Sequence, residues 1–492
     1  RAAFGVGSES GDTTIKSGSA VNDGQWHHIA AVRNSVTGRM QLYIDSHLEA
    51  YTNGPCGVKD AQTRILVGSL NNNDGQYLRG SFDDIRIFAR ELDSWEIDRL
   101  ASGGFPHVSA KKGFAIAPGK WPDWQDNLFA LRAEWFYTWN RDLGDRTYPE
   151  DISFVPMQWG NSWPDTSTMV TDLAVMKEQG LANYVLGFNE PDASAQSDMT
   201  VQQAIELWPD LMAPGLPLIS PSAVNAENSW MRDFMNQADQ LGYRVDYTGV
   251  HYYGGPDADA FMNKLQSVYD RYGKGLWITE LGAADWTAQT VEENNHSMPQ
   301  VYTYLAEVLW RLEEADFVKR YAWFSSQPDN PALCTSALFE DDQLTLSPLG
   351  RLYAAWDGDT SGPVPSEQYY LYNRGSNRRL RSYSADINPA EISASGDFVR
   401  WHLVSNGDGG YCIDNLGAGT RLCYNTANEI VPVSQADTGD RVHWEILPVE
   451  HGWYKISHRF TGKLLVCYSG SVSVLPAGST DPVTHWRFIK PL

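Results

Sequence analysis

Cysteine is scarce in this 492-residue chain: there are five, Cys56, Cys334, Cys412, Cys423 and Cys467. Five are too few for a disulfide-built scaffold and too scattered for a zinc site, and the odd number leaves a thiol outside any intrachain pair. No run approaches the ~18 consecutive apolar residues of a membrane-spanning helix, which excludes that class of protein. Cations are outnumbered, with 38 Lys plus Arg against 61 Asp plus Glu and a formal net charge of −23. That excess repels nucleic acid and anionic membranes, so neither is expected as a partner. The chain opens Arg-Ala-Ala-Phe with no initiating Met and no leader, as a mature or trimmed piece would. At 42% hydrophobic and 20% charged residues it is a folding rather than a disordered sequence. Its length implies several domains at roughly 100–200 residues each.

Aromatic residues are abundant: 19 Trp, 24 Tyr and 17 Phe make 12% of the chain. Flat rings stack on pyranose faces, so the excess points to sugar binding. Residues 1–104 read as all-β. Alternating runs at His27–Val32 and Met40–Ile44 are separated by turn clusters at Asn22–Gly24 and Asn71–Gly75. Asp23–Ala50 and Gly80–Ile97 resemble laminin-G-like domains of the concanavalin-type jelly roll. The resemblance spans only about 100 residues, so a partial sandwich, or one packed on its neighbour, is expected. Some domains of that kind bind Ca²⁺ through loop aspartates, for which Asp23, Asp83 and Asp84 are the positions here. Solvated turn residues are the plainer reading.

Residues 357–366 (DGDTSGPVPS) lack any apolar period and read as a linker. Beyond it, in 367–492, Trp401, Trp444 and Trp486, with Leu380, Leu422 and Leu464, recur about every 42 residues. Three such β units resemble the β-trefoil of ricin-B-type lectins. The Gln-x-Trp of that family is absent, since these tryptophans follow Arg400, His443 and His485. The resemblance implies a carbohydrate-targeting module, separable from catalysis and dispensable for soluble substrates. Cys412 and Cys423, in one unit, suit a local disulfide if the protein is exported.

Between these flanks, residues 108–356 alternate short apolar runs with amphipathic stretches. The runs are Gly113–Ala117, Glu134–Trp139, Phe154–Trp159, Tyr184–Phe188, Leu218–Ser222, Tyr247–Tyr252, Leu276–Thr279 and Tyr321–Ser325. The helical stretches are Met169–Gln179, Val201–Leu211, Trp230–Leu241, Ala260–Tyr272 and Gln300–Glu314. Eight strands with helices over about 250 residues is the count for a (β/α)8 barrel. A doubly wound sheet fits less well, because the first strand leads into Ala117-Pro118-Gly119-Lys120 and no glycine-rich phosphate loop.

In a barrel the loops after the strands form the working face. The fourth run ends Asn189-Glu190-Pro191-Asp192 and the seventh ends Thr279-Glu280-Leu281. Two carboxylates on one rim are the minimal apparatus for glycoside hydrolysis, one protonating the leaving oxygen and the other attacking the anomeric carbon or activating water. A lone Glu at a strand end is more commonly a solvated rim residue; the pair, in these two contexts, favours catalysis.

Asn-Glu-Pro after strand four, with Glu closing strand seven, resembles the large clan of retaining (β/α)8 glycosidases. Six segments are similar to glycoside hydrolase family 128, the β-1,3-glucanases: Lys111–Pro118, Trp135–Asn140, Phe154–Gly160, LGFNEPD, Gly249–Gly255 and LWITELG. The resemblance implies Glu190 as acid/base, Glu280 as nucleophile and Asn189 as a ligand of the sugar 2-hydroxyl. Tyr253 or His251 would orient Glu280, His251 being equally readable as a satisfied buried histidine. Trp323 would floor the −1 subsite, and Asp192 would cap the following turn. Trp208, Trp230 and Trp310 fall on helices and read as packing. Of Trp135, Trp139, Trp159, Trp163, Trp286 and Trp323, about half are expected to line a groove. The expectation is therefore a secreted, monomeric, cofactor-free retaining endo-β-1,3-glucanase. Another β-linked polymer (mixed-linkage glucan, agar-type galactan or β-1,3-xylan) and a non-catalytic sugar-binding protein are the alternatives.

Overall fold

The structure, a computed structural model, describes residues 1–7, 12–35, 37–57, a few positions between 80 and 101, and 109–491 except 150, 151, 366, 384 and 408. It divides into two compact units, Arg1–His107 and Val108–Pro491. In the first, β1 (Ala3–Val6) pairs antiparallel with β2 (Thr13–Lys16), and β3 (Ile29–Arg33), β4 (Arg39–Ile44) and β5 (His47–Asn53) form an antiparallel meander. Strand β4 is buried on both faces, Met40 and Leu42 against Ile15 and Tyr43 against Val32, Leu92 and Ile97. Asp23 Oδ1 accepts from Gln25 N and meets His27 Nε2, whose other nitrogen meets Asp45. Asp83 is exposed. Asp84, the turn at 71–75 and half of 80–97 lie outside the described residues.

In the second unit each of the eight apolar runs yields one strand: β6 (Lys112–Ala115), β7 (Trp135–Tyr137), β8 (Ser153–Phe154), β9 (Val185–Leu186), β10 (Leu218–Ile219), β11 (Thr248–Tyr252), β12 (Leu276–Leu281) and β13 (Val318–Phe324). Parallel pairing runs β11-β12-β13-β6-β7-β8 and β10-β9. Parallel bridges Met157–Leu186 and Ile219–Tyr247 join these two sets, so the pairing passes through all eight strands and returns. Alternation along each strand separates two layers. Ala115, Trp135, Tyr137, Val155, Met157, Leu186, Ile219, Trp277 and Ala322 pack inside the ring. Phe114, Phe136, Val185, Leu218, Val250, Ile278 and Trp323 face outward into the larger core with the helices. Gly113 has to be glycine, because a Cβ there would sit 2.3 Å from the Trp135 indole. Near the start of β13, Arg320 lays its guanidinium over Trp277 and Tyr184 at 4.8 and 5.0 Å.

The helices are α1 (Trp124–Ala130), α2 (Met169–Glu178), α3 (Val201–Met212), α4 (Ser229–Gln240), α5 (Ala258–Tyr272), α6 (Met298–Glu314) and α7 (Pro348–Ala355). Two consecutive lysines anchor the ends of two of them. Lys111 Nζ donates to the carbonyls of Leu312, Glu313 and Ala315 at the end of α6. Lys112 Nζ donates to those of Tyr353 and Trp356 at the end of α7. Each charge meets the carbonyl-rich, electronegative end of a helix.

The C-terminal strands are β14 (Gln368–Asn373), β15 (Arg378–Ser382), β16 (Ile387–Ala390), β17 (Arg400–Ser405), β18 (Tyr411–Asn415), β19 (Thr420–Tyr424), β20 (Ile430–Ser434), β21 (Trp444–Pro448), β22 (Tyr454–His458), β23 (Leu464–Cys467), β24 (Val472–Leu475) and β25 (His485–Ile489). Six pair in the cycle β14-β17-β18-β21-β22-β25, and the other six form three hairpins. The recurring tryptophans are fully buried and equivalent: Trp401, Trp444 and Trp486 donate to the carbonyls of Leu380, Leu422 and Leu465. Cys423 is a free thiol in an apolar cluster with Cys412 and Val442, so the expected local disulfide does not form. Residues 357–365, expected as a linker, are held: Lys490 pairs with Asp357 and Asp359, and Val364 N donates to the Tyr369 hydroxyl.

Candidate active site

Glu190 lies in the loop that continues β9. Asn189 N donates to Trp159 O at 2.9 Å and Glu190 N to Ser222 O at 2.8 Å, so the loop is stitched to both neighbouring strands before it turns. Glu190 adopts φ +41°, a left-handed conformation rare for a residue with a long side chain and characteristic of constrained functional positions. Asp192 bridges onward to the next loop, accepting from Val224 N and Asn228 Nδ2. Its role is to position the loop.

Glu280 reaches the interior through an irregularity in β12. Trp277 points in and Ile278 out, so strict alternation would place Thr279 in and Glu280 out. The register slips against both neighbours at this point. Val250 pairs with Ile278 but His251 with Glu280; on the other edge Ile278 pairs with Tyr321 but Leu281 with Trp323. One extra residue turns Glu280 inward beside Thr279, the re-aiming a β-bulge performs.

His251, inward on β11, joins the two acids. Its Nδ1 lies 2.9 Å from Glu190 Oε1 and 3.5 Å from Glu280 Oε2. One atom from each of the three residues falls within 4.8 Å of the others. The 2.9 Å separation is that of a hydrogen bond with a proton between the atoms, which suits an acid–histidine–acid bridge better than a bound ion. Burial opposes charge on His251, but Glu280's negative charge, the bond to Glu190 and the charges of Glu190 and Asp192 outweigh it and raise its pKa. The second ring nitrogen and Asn189 Oδ1 are buried with no hydrogen-bond partner among the described residues.

Both oxygens of Glu280 are held. Trp139 Nε1 donates to Oε1 at 2.8 Å and Tyr253 OH to Oε2 at 2.6 Å. Tyr137 OH reaches Oε1 at 3.3 Å and Thr279 O at 3.0 Å. Burial, then the charge of Glu280, pushes both tyrosines far above the ordinary phenol range, so they stay protonated donors.

The structure brings Glu190, Glu280, His251, Asn189, Tyr253 and Trp139 together, and it sorts the remaining aromatics. Trp163 (47% exposed) packs edge-on to the half-buried Trp159. Trp286 (63% exposed) donates to Tyr253 O and meets the Tyr253 ring edge-on. Two expectations are corrected. Trp135 is fully buried at the amino end of β7, its indole bonded to Lys111 O, and lines no groove. Trp323 is also fully buried, faces the helices and bonds to Ser336 O, so it cannot floor a subsite. Its neighbour Phe324 faces the site, edge-on to Trp139 at 5.7 Å and to Tyr253 at 5.6 Å. Sequence reasoning missed Phe324 and Tyr137. The signal was present: positions 135, 137 and 139 share one strand face, as do 320, 322 and 324.

Residues 117–353 match the protein family described as the glycosyl hydrolase catalytic core. Residues 1–98 match the concanavalin A-like lectin/glucanases superfamily. A curated relative, alkali-sensitive linkage protein 1 of Schizosaccharomyces pombe, is 27% identical over 230 residues, 44% of this chain. The chain spans 39% of that relative's length. Among solved structures, a family 128 subgroup I endo-β-1,3-glucanase from Amycolatopsis mediterranei, in complex with laminarihexaose, is 31% identical. The match covers 50% of this chain and 99% of that one, with a TM-score of 0.43. A subgroup II endo-β-1,3-glucanase from Sorangium cellulosum is 27% identical over 50% of this chain and 97% of its own, with a TM-score of 0.41.

Proposed function

We propose that this chain is a secreted, retaining endo-β-1,3-glucanase of glycoside hydrolase family 128. In this reading the ring of eight strands is a (β/α)8 barrel, and the C-terminal cycle with its three hairpins is a β-trefoil. The carrying observation is the Glu190–His251–Glu280 cluster, with one oxygen of each glutamate within 4.8 Å of the other. So close an approach of two carboxylate oxygens supports direct attack on the anomeric carbon, for which carboxyl groups stand roughly 5–5.5 Å apart; inversion needs the wider gap that admits a water, roughly 6.5–9.5 Å between carboxyl groups. Glu280, held on both oxygens by neutral donors, is the nucleophile. Glu190, on the more open loop, protonates the leaving oxygen and then deprotonates the incoming water. The choice of β-1,3-glucan rests on the six-segment resemblance in the sequence.

Glu280→Gln is expected to lower laminarin hydrolysis by at least about 1,000-fold. Loss of less than about tenfold would remove Glu280 from the role of nucleophile. Product NMR should show the β-anomer first; an initial α-product sinks retention. A product profile on laminarin, curdlan, lichenan, agarose and β-1,3-xylan decides the polymer, and binding to glucan without release of reducing ends would favour a non-catalytic protein.

A further inference from the structure

The Trp139 indole is turned toward a carboxylate. Its N–H lies 2.8 Å from Glu280 Oε1. The ring meets Tyr137 edge-on at 5.1 Å and Phe324 edge-on at 5.7 Å, so its neighbours fix its plane. The backbone at Trp139 takes φ +56°, a conformation disfavoured for a large side chain and kept only where the surroundings impose it. A tryptophan that served only to stack on sugar needs no such backbone, and the exposed Trp163 and Trp286 sit on their loops without it. On Oε1 the only other donor among the described residues is Tyr137, longer at 3.3 Å and shared with Thr279 O.

We propose that Trp139 is a positioning residue for the Glu280 carboxylate, acting through its indole N–H, and not a stacking platform for the sugar. The inference rests on the hydrolytic reading of the Glu190/Glu280 pair. In the first displacement a Glu280 oxygen forms a bond to the anomeric carbon as the glycosidic C–O bond breaks, and Glu190 gives its proton to the departing oxygen. In the second, water adds to that carbon, losing a proton to Glu190, and the electron pair of the ester bond returns to Glu280. The N–H fixes the carboxylate plane for the first step and receives the returning charge in the second.

Trp139→Phe keeps the ring and removes the donor. The expected result is a fall in kcat of about 10- to 100-fold with KM within about threefold of wild type, the size of one lost hydrogen bond to a charged group. The deciding measurement uses Glu280→Gly with azide as external nucleophile and a dinitrophenyl β-laminaribioside as substrate. With no carboxylate to position, adding Trp139→Phe should change the azide-supported rate by less than about twofold. A parallel loss in that background, or a raised KM with unchanged kcat in the single variant, overturns the proposal. Full activity of Glu280→Gly without azide would instead remove Glu280 from the role of nucleophile, the reading on which this inference rests, so the two failures are separable.

Discussion

On β13, Trp323 and Phe324 sit side by side and face opposite ways, which separates their expected mutant behaviour. Phe324→Ala should lower kcat/KM on laminari-oligosaccharides by about tenfold with little change in melting temperature, because its ring borders Trp139 and Tyr253. Trp323→Ala should cost roughly 3–5 kcal/mol of stability, because a fully buried ring leaves a cavity among the helices. Thermal melts beside kinetics check both; exchanged phenotypes would reverse the facing. His251 supplies a pH test. Its folded pKa is raised above the ordinary 6.5, through Glu280's charge and the Glu190 bond acting against burial. Its stabilising contribution is therefore complete below 6.5 and fades as pH climbs through the raised value. Melting temperatures should show that alkaline decline in wild type and less of it in His251→Gln. Parallel curves would mean that the histidine does not bridge the acids as a cation.

Elements place these residues by means that differ in how far the sequence reveals them. The strand that ends in Glu280 was legible as an apolar run; its extra residue was not, because a bulge leaves the composition unchanged and shows only against its neighbours' register. Five helices stood out by period, whereas α1 and α7 did not. With seven and eight residues they complete too few turns for a pattern to repeat. Helix α3 begins with a capping box in which Thr200 Oγ1 accepts from Gln203 N and Gln203 Oε1 from Thr200 N. Just before it, Met199 N bonds to Pro191 O, next to Glu190. Thr200→Ala should lower stability by about 1 kcal/mol, read as a shift in denaturation midpoint at constant slope. An unchanged midpoint would show that the box carries no load.

Across the second unit, α6 explains why the C-terminal strands are not a detachable appendage. Its sequence reads as amphipathic, yet Tyr302, Ala306, Glu307, Leu309 and Trp310 are buried together with its strand-facing residues. One side packs on the strand ring and the other on the C-terminal module. Tyr302 meets Tyr372 at 4.9 Å between ring centroids, Thr303 Oγ1 bonds to Tyr372 OH, and Arg374 pairs with Glu307. Gly452, at φ +75°, lies so close to Trp310 that any Cβ would meet the indole within 2.3 Å. Arg487 is buried between Trp310 and Trp453 and donates to the carbonyls of Ala306 and His451. The expectation that removing this module would spare soluble substrates leaves out this shared core. A chain ending at 356 should aggregate or lose activity on soluble laminari-oligosaccharides as well, and the intact unit should melt in one transition. A monomeric truncated protein with wild-type melting would show the shared core to be dispensable.

The sequence by itself determined the number and order of the eight strands between 108 and 356, the threefold repeat, the two glutamates and their immediate context, because periodicity, spacing and residue type are local properties. Which way each side chain faces was decided only by the tertiary structure. One inserted residue in β12 aimed Glu280 inward, alternation on β13 chose Phe324 over Trp323, and the second face of α6 found a partner that lies more than 60 residues further along the chain. Orientation depends on what pairs across the sheet and what packs behind it, and those neighbours are distant in sequence.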